Sequence, residues 1–237
     1  YGMSAVAMTD HGNMFGAIDF YRSAEQAGIK PIIGCEMYLA PKSRHDRAVV
    51  RRDDYERGGN FHLILLAMNL DGYRNLCRLI TAAHVSGERA TPELPPALLP
   101  QHASGLIALS GCSEGELSKL VAASRFSEAR NLIVQYRDWF GRDGYYIELQ
   151  QNLVSGDSER NKKLCALARE ADVKVAATGN VHYHIRERHE LQDCLVAIRC
   201  CKSLEETHRE RRANSEFYLR PVPEMESLFR EHPDAIS

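Results

Sequence analysis

Several side chains able to bind metal stand inside or just beyond segments that are otherwise apolar. "TDHG" places Asp10 and His11 at the end of a strand-like run. Glu36 interrupts "PIIGCEMYL", His62 interrupts "NFHLILLA", and Cys112 closes "LIALSGC". "GNVHYH" adds Asn180, His182 and His184. Taken singly, each has an ordinary structural explanation: an Asp-His turn, a satisfied core histidine, a buried thiol acting as a small hydrophobe. A carboxylate inside an apolar strand is harder to explain without a partner or a metal. With side chains alternating along a strand, Glu36 faces away from Cys35 and towards the interior of a barrel. Together, imidazole, carboxylate and thiolate form a ligand set for zinc, with manganese or iron also accommodated. More than four such groups on one rim point to several close-set ions, which can activate water and neutralise the oxygens of a phosphate ester. The chemistry expected is that of a metal-dependent hydrolase.

The elements that must position these groups follow from periodicity. "AVAMTD", "KPIIGCEMYLA", "FHLILLAMN", "LIALSGC", "GYYIELQ" and "VKVAATGNVHYH" read as strands or strands with their loops. Helical patterns lie between them: residues 14–27 with Met14, Ile18, Tyr21 and Ala24 on one face, then 71–86, 114–123, 127–140, 158–171 and 187–198. Gly28 and Gly141 fit helix C-termini, and Ser127 fits an N-cap. Six strands alternating with helices imply parallel βα units, and ligand-type residues at the strand ends favour a (β/α) barrel over an open sheet. Residues 41–60 form a polar, Arg-rich excursion, and "TPELPPALLPQHASG" a Pro-rich connection. Beyond residue 200 the texture changes to a charged run, a short strand "EFYL" and a short helix over 223–230.

The 237 residues, 44% hydrophobic and 26% charged, suffice for one large domain or a domain with an appendage. Seven cysteines without a CxxC pair argue for reduced thiols, Cys200 and Cys201 included, and for a cytoplasmic setting. No apolar run is long enough for a membrane span. A net charge of −2 supplies no global basic field for nucleic acid. Arg44, Arg47, Arg51, Arg52 and Arg57 are balanced by Asp46, Asp53, Asp54 and Glu56 and read as a solvated loop; Arg209, Arg211 and Arg212 read as a charged surface turn. The abrupt beginning and end read as those of a piece of a longer chain.

The runs "AVAMTDHGNMFGAIDFYRSAEQAGIKPIIGCEMYLAP", "FHLILLAMN", "LIALSGCSEGEL" and "VAATGNVHYH" resemble the PHP (polymerase and histidinol phosphatase) domain of bacterial DNA polymerase III alpha subunits, replicative or error-prone. The likeness extends over essentially the whole chain. It implies an α/β fold: a distorted seven-stranded (β/α) barrel of the PHP type lacking its first strand over residues 1–200, with 201–237 a connection towards a polymerase palm. It also implies metal ligands at His11, Glu36, His62, Cys112, Asn180 and His182, with Asp10 behind them. The family's opening His-x-His motif would lie before Tyr1, and Asn180 stands where the family has Asp. The implied cofactor is a divalent metal, zinc or manganese, with up to three ions once the missing strand is restored. No side chain is assigned as nucleophile. The parent would be a DNA-directed DNA polymerase whose active site lies outside this chain, with DNA, a sliding clamp and a proofreading subunit as partners. The domain would act as a metal-dependent 3′–5′ exonuclease. The alternatives are a degenerate barrel that docks the proofreading subunit, and a standalone phosphoesterase.

Overall fold

The computed structural model describes residues 1–41, 60–86 and 92–236. Six strands form one sheet in chain order: β1 (Ala5–Met8), β2 (Lys30–Leu39), β3 (Phe61–Ala67), β4 (Leu106–Leu109), β5 (Tyr145–Gln150) and β6 (Lys174–Thr178). Helix α1 (Ala17–Gln26) links β1 to β2, and α2 (Leu70–Ser86) and the short α3 (Leu99–His102) lie between β3 and β4. Next come α4 (Glu116–Ala122) and α5 (Phe126–Phe140) before β5, and α6 (Asp157–Ala171) before β6. Helices α7 (His189–Cys200) and α8 (Val222–Leu228) close the chain. The sheet is curled. His11, just past β1 at one edge, stacks on His182, just past β6 at the other, with ring centroids 5.9 Å apart. A six-stranded half-barrel results, the architecture expected of the seven-stranded barrel less its first strand.

Strand direction departs from the all-parallel expectation. β1–β2, β4–β5 and β5–β6 are parallel, but β3 runs antiparallel to both neighbours. A parallel pair needs a long crossover, usually a helix, whereas an antiparallel neighbour can return directly. The polar run 41–60 carries no helical periodicity that would serve as a crossover, so the reversal has a sequence basis. One consequence is that the start of β3, not its end, lies on the rim where β4 ends.

Alternation then sorts the side chains. Cys35, Met37 and Leu39 of β2, Phe61, Leu63 and Leu65 of β3, and Tyr145, Ile147 and Leu149 of β5 are buried in one core with residues of α2, α4, α5 and α6. Burial of a side chain of that size contributes about 1.5–3 kcal/mol. The outer face therefore carries the packing, and the inner face is left to Glu36, Tyr38, His62, Glu148 and Gln150. Helix α1 ends in a Schellman turn, with Gly28 at φ +68° donating to the Glu25 carbonyl and Ile29 to that of Ala24. Its packed residues are Ala17 and Ala24, while Ile18 and Tyr21 are exposed. Gly141 ends α5 at φ +84°. The N-cap of α5 is Arg125 rather than Ser127, and Arg125 spans the first turn to reach the Glu128 carboxylate. "EFYL" makes one isolated bridge, Tyr183 to Tyr218, rather than a strand. Arg44, Arg47, Arg51, Arg52 and Arg57 lie outside the described residues. All seven cysteines are free. No helix among the described residues is long and apolar enough to cross a membrane.

Candidate metal centre

Glu36, near the end of β2, is brought under the β1–α1 turn by backbone bonds: its N–H donates to the Asp10 carbonyl (3.0 Å), and Gly12 N–H donates to its carbonyl (2.9 Å). Asp10 thus supports Glu36 through its backbone. The carboxylate, 7% exposed, has Oε1 3.2 Å from His11 Nδ1 and 2.6 Å from His62 Nδ1. Cys112 sits on the turn after β4, with Sγ 3.4 Å from His62 Nδ1 and accepting Glu114 N–H at 3.4 Å. That turn hugs the start of β3, where His62 N–H donates to the Glu114 carbonyl (3.3 Å). Only glycine fits at position 111: φ is +85°, and a Cβ would lie 2.3 Å from the His62 carbonyl oxygen.

The ligand-type atoms of Glu36, His62 and Cys112 all lie within 4.8 Å of one another. Two imidazole nitrogens contact Glu36 Oε1, yet among the described residues this buried oxygen receives no well-aimed hydrogen bond. The contacts are those of charge and proximity. A ring nitrogen carries at most one proton, pointed one way, so a single Nδ1–H on His62 cannot serve both Glu36 and Cys112. A shared cation that displaced the His62 proton would accommodate all three. The 3.4 Å between Cys112 Sγ and His62 Nδ1 matches the spacing of about 3.5 Å for a thiolate and an imidazole on one tetrahedral zinc. The donor set fits a divalent metal.

His182 reaches the same rim from beyond β6. Its ring stacks on His11, and its Nε2 lies 3.2 Å from Asn180 Oδ1. Asn180 has φ +46°, a left-handed conformation that Asn tolerates better than most residues. His184 is exposed. His11, Glu36, His62, Cys112, Asn180 and His182 therefore form one contiguous group, although they come from strands of opposite direction.

The electrostatics are polarised. Burial opposes a charge on His62, but its contacts with Cys112 and Glu36 prevail and push it up to about 10. Burial likewise works against ionising Glu36, and His11 and His62 overcome it, holding the carboxyl well below its usual range. His182 is pushed down to about 3 by burial first, then by the positive charges of Arg212 and His11. It is a neutral imidazole, the form that binds metals.

Three neighbours were not anticipated. Tyr38, two residues past Glu36 on the same face, packs edge-on to His62 (5.1 Å) and stacks near His11 (6.0 Å). Burial pushes its hydroxyl up to about 12, keeping it a donor. Glu148, on the inner face of β5, accepts from Gln150 Nε2 (2.8 Å) and Thr178 Oγ1 (2.5 Å). Arg212 lies over the ring of Phe217, which is itself edge-on to His182. Period-two alternation in "YYIELQ" could have flagged Glu148, as it did Glu36. Nothing local distinguishes Arg212 from the other charges of its run.

Comparison with known proteins places these observations in context. Residues 1–152 match the PHP domain family, a span that includes His11, Glu36, His62 and Cys112. Over 236 residues the chain is 39% identical to the DNA polymerase III subunit alpha of Treponema pallidum (strain Nichols), covering 99% of this chain and 20% of that protein. It is 38% identical over 234 residues to the same subunit of Borreliella burgdorferi, covering 99% and 20%. The error-prone DNA polymerase of Symbiobacterium thermophilum is 38% identical over 253 residues, covering 100% and 22%. The chain thus spans about a fifth of the length of these relatives.

Proposed function

The chain belongs to the PHP domain family, and from that premise we propose that it is the metal-dependent phosphoesterase portion of a bacterial DNA polymerase III alpha subunit, trimming DNA from the 3′ end. The convergence of Glu36, His62 and Cys112 around a buried carboxylate oxygen that no hydrogen bond among the described residues satisfies carries this reading. Zinc or manganese would be held by these three with His11 and His182, and Asn180 would add a neutral amide oxygen, a weaker donor than a carboxylate. Such an ion polarises a phosphoryl oxygen and lowers the pKa of water. The chain's own residues do the rest. Asp10 and Gly12 fix Glu36 through the backbone, and Tyr38 keeps a proton to donate at the rim. The parent enzyme would extend DNA in the cytoplasm, with a sliding clamp and a proofreading subunit as partners.

Elemental analysis of the purified chain tests the proposal, together with digestion of a 3′-mispaired primer under added Mn²⁺. At least one zinc or manganese per chain and 3′–5′ cleavage are expected, both lost in Glu36→Gln. Less than one ion per chain and no cleavage would leave a structural barrel instead. Asn180→Asp, which restores a carboxylate, is expected to raise metal retention.

A further inference from the structure

The segment after α7 returns to the rim. Phe217 is buried, and its carbonyl accepts His182 N–H at 2.8 Å. Its ring lies 6.1 Å from the His182 ring, and the Arg212 guanidinium sits 5.1 Å above its centroid. Arg212 is thereby held one aromatic ring away from a candidate metal ligand, with an exposed side chain. Its neighbour Arg211 pairs with Asp193 at 3.0 Å, whereas Arg212 makes no ion pair among the described residues. Arg212 also lines a cleft of about 500 Å³, together with His189, His208, Arg211, Asn214 and Ser215. This cleft is lined by α7 and the returning segment, and its Arg212 also stacks on Phe217 beside His182. A second exposed arginine, Arg199 at the end of α7, lies close enough for its charge to act on Tyr38 and His182.

We propose that Arg212 is a substrate-binding residue, its guanidinium gripping a phosphodiester of single-stranded DNA that lies in this cleft with its 3′ end at the metal cluster. The inference rests on the nuclease reading above and adds where the strand runs. The planar fork of an arginine matches two phosphate oxygens. Stacking on Phe217 orders the side chain beforehand without using up its outward-facing donors. Its charge reaches the rim, because after burial Arg212 is the largest cause lowering the His182 pKa.

The test is binding of a fluorescent tetrathymidylate, titrated in EDTA so that neither bound metal nor cleavage enters. Saturable binding by the unmodified chain is expected, with Arg212→Ala about tenfold to a hundredfold weaker. Its salt slope should be shallower by about 0.7, one lost phosphate contact on a single strand. Arg212→Lys should fall between, keeping the charge without the fork. Arg130→Ala, which breaks a remote pair with Glu170, should leave affinity unchanged. Circular dichroism would show that each variant is folded, and Arg212→Lys carries the test if Arg212→Ala is not. No saturable binding, or equal affinity and salt slope in the unmodified and Arg212 variants, would overturn the proposal. Metal content and cleavage are measured separately, so a failed nuclease reading would show there and not in this titration.

Discussion

Glu148 is a carboxylic acid in a place where ionisation is costly. It is 4% exposed, and its Oε2 has no hydrogen-bond partner among the described residues. Burial raises its pKa and outweighs the bonds from Thr178 and Gln150, with the negative charge of Glu36 adding to the rise. The direction of the pH effect follows. A carboxyl whose folded pKa is raised stabilises the fold below its unfolded value, about 4.3, and that stability is lost as pH rises through the folded value. Glu148→Gln has no such loss. Its melting temperature should therefore gain on that of the unmodified chain as pH is stepped from 4.5 to 8, and a gap independent of pH would contradict this. Glu148→Ala, which strands Gln150 and Thr178, should cost about 1–3 kcal/mol. The residues that were legible in the sequence share one property: a single polar group against an apolar strand, as at Glu36 and His62. Those that were not legible depend on pairing or on the path of the chain. Gln150 and Thr178 become partners of Glu148 only once β5 and β6 are in register, and Arg212 acquires a site only because the chain doubles back over His182.

Strands and helices were readable because their periods are strong, but their directions and caps were less so. An apolar run such as "FHLILLA" looks the same in either direction, so parallel units followed from alternation with helices alone. The reversed β3 brings His62 to the rim from the first turn of its strand and sets it against the loop after β4. Gly111 makes that approach feasible. An alanine there would combine a positive φ, costing about 1–2 kcal/mol, with a Cβ 2.3 Å from a backbone oxygen. Gly156 isolates the two effects, since it has φ +93° and nothing within 4 Å of where a Cβ would stand. Gly156→Ala should cost about 1 kcal/mol, and Gly111→Ala at least twice that, in urea midpoints at constant m. Gly111→Ala should also lose metal, by parting Cys112 from His62. Equal midpoints would mean that the loop yields without strain.

At the scale of the molecule, residues 201–236 close over the half-barrel. Phe229 is 1% exposed within the main core, and Ala235 joins the same cluster. Asn152, after β5, ties both ends together by donating to the Gly179 carbonyl (2.8 Å) and the Glu216 carbonyl (2.9 Å). Arg220 anchors the centre of this segment. It is 3% exposed, pairs with Glu216 (3.0 Å) and Glu224 (2.9 Å), and lies over the Tyr218 ring. Glu216 is also held by Arg186 at 3.1 Å, so the network spans from the start of α7 to α8. Removing one member of a buried ionic network costs more than the network contributes, because its partners remain buried and unpaired. Glu224 is partly exposed and Glu216 retains Arg186, which moderates the loss. Arg220→Ala should therefore destabilise by about 2–3 kcal/mol, below the 3–5 kcal/mol of a fully buried pair. The effect should be local before it is global: hydrogen exchange should rise first at His182 and Leu219, whose N–H groups bond Phe217 and Tyr183 across the bridge. Since His182 and Phe217 carry the rim to Arg212, loosening them should weaken tetrathymidylate binding even while β2–β5 stay protected. Uniform exchange across the sheet would instead make the segment one cooperative unit with the barrel, and binding would then fall only as the whole fold is lost.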